Sequence, residues 1–175
     1  MKRLLTLDLK DYTDDMPVTE KHTVRAVILR DGRMAMQRSG KGEYKIPGGG
    51  VEDGESHLQT LLREVREETG LLVRPDTVRE IGEIVEMRED VFCPRQKYVC
   101  HSYFYFCGVE DETVATHMTD SEIAKGFHPV WETPEEIVRV NDALLLQPWQ
   151  NRDTEFIRLG IDSGLFRSKR EGLSH

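Results

Sequence analysis

Four glutamates, Glu55, Glu64, Glu67 and Glu68, lie in or just after a glycine-rich run, Gly48-Gly49-Gly50-Val51-Glu52-Asp53-Gly54-Glu55. Glu64, Glu67 and Glu68 are spaced i, i+3 and i+4, so on a helix their carboxylates share a flank and can converge on one point. Glu64 and Glu68, like charges four apart, cost a helix roughly 0.2–0.5 kcal/mol. An oxygen cluster of this kind suits a hard divalent cation, Mg²⁺ or Mn²⁺ above all. Arg63 offsets one charge through an i,i+4 pair with Glu67. Taken alone, three glutamates on a helix have a simpler account, a solvated acidic face.

The elements that must position these carboxylates are legible. Ser56 caps a helix, and Gln59 three residues on completes a capping box. Gly70 suits the left-handed residue that closes the helix, and Pro75 lies beyond it. Leu58, Leu61, Leu62, Val65 and Thr69 recur at helical spacing as one buried face.

The full spacing decides between the two accounts. Gly49, five residues, Glu55, seven residues, then Arg63-Glu64-Val65-Arg66-Glu67-Glu68-Thr69-Gly70-Leu71 resembles the Nudix box at every position, with Val65 and Leu71 as its bulky aliphatics. Such a match arises by accident in this length well below about once in a million. The resemblance implies an α/β fold with a mixed β-sheet sandwiched between α-helices, and metal-dependent hydrolysis of a diphosphate linkage. It implies Glu64 and Glu68 as metal ligands, with Glu67 close behind, Glu55 nearby or through water, and a backbone carbonyl at Gly49. Arg63 orients the glutamates, and Gly70 is structural. The expected cofactor is Mg²⁺, with Mn²⁺ as a substitute.

The resemblance leaves the base open between a box glutamate and a later acidic loop. Asp120-Ser121-Glu122 stands where such a loop is expected; Glu122 is the choice, ahead of Asp120 and Glu112. Arg30, Arg33, Arg38, Lys41 and Lys45 cluster ahead of the box on a net-acidic chain and form a candidate phosphate patch. Arg38 and Lys45 are the preferred contacts. Tyr44, Phe92, Tyr103, Tyr105, Phe127 and Trp131 could stack a nucleobase, although most must be core. Tyr44 and Trp131, each beside a loop, are favoured. His57 is read as a surface histidine near the cap and His101 as a satisfied sheet histidine.

Subgroups of the family carry a proline or a tyrosine about fifteen to eighteen positions past the box; this chain has Glu86, Met87, Arg88 and Glu89 there. The pattern of coenzyme A-cleaving members is absent around Tyr44-Lys45-Ile46-Pro47. By elimination the expected substrate is a nucleoside triphosphate, normal or oxidised, cleaved to monophosphate and pyrophosphate. Alternatives are hydrolysis of ADP-ribose or a sugar nucleotide, a non-catalytic nucleotide-sensing module, and diphosphate-ester isomerisation.

The remaining chain agrees with one domain. Its 175 residues, 38% hydrophobic and 32% charged, fit a soluble globular protein. A net charge of −8 argues against binding a nucleic acid polymer. No apolar run approaches the ~20 residues of a membrane span, and no signal peptide is evident; a cytoplasmic location is expected. Cys93, Cys100 and Cys107 are read as free thiols. The sequence leaves a homodimer open. Leu4 to Leu9 alternates as an edge strand, and residues 11–21 read as a linker, so 1–22 form an arm. Strands are expected at Thr23–Leu29 and Met34–Gln37 around an Asp31-Gly32 turn, at 71–73, 78–87, 97–109 and 127–131. Residues 110–125 read as a polar loop. Helices are expected from Thr133 to Asn141 and from 148 to 159. The domain is drawn at 1–161, with a flexible tail over 162–175.

Overall fold

In the computed structural model, which describes residues 1–167, alternation along one strand decides the layering. On β2 (Val18–Val27), Val24 and Ala26 face one side while Arg25 and Val27 face the other, the period of two that strands impose. Each side has its own core. With Val24 and Ala26 pack Leu61 and Val65 of helix α1 (His57–Thr69). With Val27, Ile84 and Phe104 pack Ile137 of α3 (Pro134–Ala143) and Phe156 and Ile157 of α4 (Arg152–Ser163). The sheet is therefore sandwiched between helices, as the sequence implies.

The main sheet runs β1 (Arg3–Asp8), β8 (Arg79–Glu89), β9 (Lys97–Phe106), β2, β6 (Gly48–Gly50). It is mixed: β1 with β8 and β2 with β9 are parallel, the other pairs antiparallel. A second sheet holds β11 (His128–Glu132), β4 (Arg33–Arg38) and β3 (Leu29–Arg30), with β5 (Tyr44–Lys45) on β4. β7 (Leu71–Val73) pairs with β10 (Val109–Thr113). Asp31 and Gly32 both have positive φ, 49° and 75°, as a two-residue hairpin turn requires.

Four expectations need correction. β2 begins at Val18, so the supposed linker ends earlier; parallel pairing with β9 from Val18–Lys97 onward outweighs the polar sequence of residues 19–22. The glycine run, absent from the expected strands, is one: Gly48–Gly50 pairs with Thr23–Arg25 as the edge of the main sheet. The polar stretch after Cys107 contains β10 and a short helix α2 (Asp120–Ala124), capped by Thr119. The last helix continues to Ser163 and closes on Gly164, and Leu165 and Phe166 fold back onto the α3–α4 core. Ordered structure thus passes the boundary drawn at 161; residues 168–175 of the expected tail lie outside the described residues. Among the described residues no helix is long and apolar enough to cross a membrane.

Candidate functional site

α1 starts and stops as its ends dictate. Ser56 Oγ accepts from Gln59 N and the Gln59 side chain accepts from Ser56 N, at 3.1 and 2.8 Å, while Gly70 closes the helix with φ 72°. Arg63 is the hub on its outer flank. Its Nε and one terminal nitrogen donate to the two Glu55 oxygens at 2.7 and 2.8 Å, and the other terminal nitrogen donates to Glu64 at 2.7 Å. Glu67 stands 3.7 Å away, one turn on. Arg63 draws the Glu55 carboxyl down to about 2, helped by Glu52 N–H and the Thr60 hydroxyl. Glu64 moves the other way: burial raises it, and Arg63 only partly opposes this.

Glu68 lies on the inner flank, 5% exposed, and accepts the Gly48 N–H at 2.8 Å. Burial pushes its carboxyl up to about 8, and the charges of Glu64 and Glu122 add to the rise. The turn must be glycine to come this close. A side chain at Gly49 would occupy the space of the Glu64 carboxylate, and one at Gly48, with φ 145°, would meet the Val24 carbonyl.

Other expected residues divide between the two faces. The Lys45 ammonium sits 5.0 Å over the Phe127 ring, and burial and Arg25 lower its pKa while Asp153 and Glu68 oppose that. Arg38 and Tyr44 point the opposite way. Tyr44 is 4% exposed in the α3–α4 core, which excludes it as a base-stacking platform. Arg38 lies 4.9 Å over its ring and donates to Gly42 O, away from the glutamates. Trp131 packs against the α1 core, with Arg30 5.0 Å over its indole. The Glu122 carboxylate accepts the N–H and hydroxyl of Thr119, at 2.8 and 2.9 Å. His57 Nδ1 lies 2.6 Å from the Tyr105 hydroxyl, and His101 lies between Glu20 and Glu83. Cys93 is exposed, Cys100 and Cys107 are buried, and all three are free.

The fold agrees with comparisons to known proteins. The NUDIX domain signature matches residues 20–159. The chain belongs to the NUDIX domain family. Nudix hydrolase 6 of Arabidopsis thaliana is 30% identical over 79% of this chain and 42% of its own length. Nudix hydrolase 5 of the same plant is 26% identical over 95% of this chain and 52% of its own. The chain thus spans about half the length of these curated relatives. Among solved structures, a NUDIX hydrolase from Nitrosomonas europaea aligns with TM-score 0.55 at 22% identity, covering 83% of this chain and 90% of that one. A MutT structure, from work on the Aliivibrio salmonicida and Vibrio cholerae proteins, aligns with TM-score 0.55 at 17% identity, covering 83% and 99%. At these identities the likeness is one of fold.

In this Nudix domain the donor set fits a hard cation. It is all oxygen, and among the described residues the buried Glu68 carboxylate has one hydrogen bond and no ion pair. As the side chains stand, no three His, Cys, Asp or Glu groups among the described residues converge to ligating distance. A cleft of about 840 Å³ runs past Glu64, Glu55 and Gly50, on to His22, His57 and Tyr98. Sequence reasoning missed the residues behind the turn. Arg25 donates to the carbonyls of Ile46 and Gly48 at 3.2 and 3.1 Å, and Asp153 accepts the Ile46 N–H at 2.9 Å. Arg25 did leave a signal, a lone arginine inside the apolar run Val24 to Leu29.

Proposed function

We propose that this Nudix domain hydrolyses a diphosphate linkage in a nucleoside diphosphate derivative, with a nucleoside triphosphate, normal or oxidised, as the substrate class. The observation that carries this is the buried Glu68 carboxylate held on the Gly48 N–H beside Glu64. An anionic carboxyl there forms no ion pair among the described residues, and a divalent metal would supply the counter-charge. Glu64, Glu68 and Glu67 would hold Mg²⁺ or Mn²⁺, with Glu55 behind. A bound divalent ion neutralises phosphate charge and acidifies water. The chain does the rest by positioning. Arg63 fixes Glu55 and Glu64 together, and Lys45 offers an ammonium to phosphate oxygens.

Glu122 is assigned as the base, since its charge already reaches Glu68 and Thr119 holds its carboxylate in place. A Glu122→Gln variant with unchanged kcat would return that role to a box glutamate. Glu86 and Arg88, in the window where subgroup markers stand, serve the interior instead: Glu86 pairs with Arg152, and Arg88 lies over Tyr98. Three free cysteines support a reducing, cytoplasmic setting.

The test is incubation with nucleoside triphosphates, oxidised dGTP, ADP-ribose, dinucleoside polyphosphates and sugar nucleotides, each with Mg²⁺ or EDTA. The expected result is EDTA-sensitive release of nucleoside monophosphate and pyrophosphate from a triphosphate. Hydrolysis confined to ADP-ribose or sugar nucleotides would overturn the substrate class. Nucleotide binding without turnover in Mg²⁺ and in Mn²⁺ would overturn the activity.

A further inference from the structure

The segment leading into the glycine turn is held by side chains from three distant parts of the chain. Asn141 of α3 brackets Tyr44, accepting its N–H at 2.9 Å and donating to its carbonyl at 3.0 Å. Asp153, at the start of α4, accepts the Ile46 N–H. Arg25 of β2 bridges the carbonyls of Ile46 and Gly48 through one nitrogen, and the Ala26 N–H donates to Pro47 O at 2.8 Å. The next polar atom along the chain is the Gly48 N–H, which Glu68 accepts. Behind Asp153, Arg152 ties Asp153 and Glu86 together at 2.9 and 3.3 Å.

We infer that Arg25, Asn141 and Asp153 are positioning residues that clamp Tyr44–Gly48 and thereby fix Glu68 for its cation. This rests on the proposed metal role of Glu68.

Arg25 is the member whose presence fold stability explains least. It is 8% exposed, and among the described residues its Nε has no partner and no carboxylate stands within ion-pair distance. Burial and the neighbouring Arg152 both disfavour its charge, and Asp153 and Glu68 do not fully compensate. A buried arginine in these surroundings costs the fold more than an apolar chain of like volume would. What it provides locally is the bridge over two carbonyls on either side of Pro47. Lysine, a point charge on a shorter reach, does not reproduce that fork.

The test uses the whole chain and reads Mn²⁺ affinity by electron paramagnetic resonance, beside kcat, KM and the melting temperature. Arg25→Met is expected to melt no lower than the parent, to bind Mn²⁺ about tenfold more weakly, and to lose kcat with KM little changed. In a Glu68→Gln background the same substitution should move Mn²⁺ affinity less than about twofold, because the route through Glu68 is gone. If Arg25→Met fails to fold, Arg25→Lys replaces it, with the same losses expected at an unchanged melting temperature. Unaltered Mn²⁺ affinity in the folded variant, or an equal loss in both backgrounds, overturns the clamp. The Mn²⁺ titration does not depend on finding a substrate, so silence across the nucleotide panel would sink the proposed activity and leave the clamp to be judged separately.

Discussion

Two charge clusters meet at the glycine turn, and they are built differently. The outer one, Arg63 with Glu55, Glu64 and Glu67, comes from a single continuous stretch and borders the cleft. The inner one joins Glu86, Arg152 and Asp153, with Arg25 beside them, from strands and a helix far apart in the chain. The outer cluster is anionic in excess, four carboxylates with Glu68 against Arg63, which suits it to an added cation. The inner cluster is buried and pairs Arg152 with Glu86 and Asp153, while Arg25 and Asp153 also hydrogen-bond the backbone of the turn. On the proposed function, the outer half binds and the inner half holds it in place.

The sharpest way to break this division is Glu68→Gln, which sits on the boundary. Hydrolysis should fall at least about 100-fold, since even residues behind a metal ligand are worth 10–100-fold. A smaller loss would mean that Glu64 and Glu67 suffice. Gly49→Ala comes next: its methyl would displace the Glu64 carboxylate. Turnover is expected to fall about 10–100-fold with the melting temperature nearly kept. Equal loss of stability and turnover would make Gly49 a folding residue only.

Asp153→Asn addresses the inner cluster, and its first effect is on stability. Leaving a buried arginine short of its partner costs about 3–5 kcal/mol, read by urea unfolding at neutral pH. Burial alone would raise the Asp153 carboxyl, but Arg152 and Arg25 hold it below its ordinary value. A depressed carboxyl stabilises above its unfolded pKa, about 3.9, and the contribution fades as pH falls through the lower folded value. The gap between parent and Asp153→Asn should therefore narrow below about pH 4, and a gap that persists there would show that shape, not charge, is what Asp153 supplies. The smallest effect belongs to Arg38→Ala. Because Arg38 lies over Tyr44 on the far face, turnover should change less than about twofold, as for surface sites away from function. A larger loss in kcat/KM would place phosphate on the wrong side of this picture.

The same division explains what could be read from the sequence. Glu64, Glu67, Glu68, Arg63 and the Ser56 and Gly70 caps are determined by neighbours three to five residues away, so spacing alone exposes them. The Asp31-Gly32 turn is local in the same sense. Tyr44 was misleading because proximity to the glycine run along the chain says nothing about which way a side chain points. On β5 the alternation sends the Lys45 ammonium over Phe127 and the Tyr44 ring into the core with Ile137 and Phe156, about a hundred residues later. Val18 to His22 reads as linker because its partner β9 is nowhere nearby in sequence. Asp153 could not be found at all, since one aspartate opening a helix is ordinary until Ile46 is beneath it.

The hydrogen bond from Ile46 to Asp153 spans 107 residues. Chains emerge from the ribosome N-terminus first, and long-range contacts close late. A nascent chain therefore carries the complete box, its helix and its glutamates well before α4 exists to brace the turn from below. Until Asp153 arrives, Arg25 lacks the largest compensation for its charge. The signature is finished at Leu71, yet the brace beneath its turn waits for α4, so a chain can display the whole motif before the turn is supported.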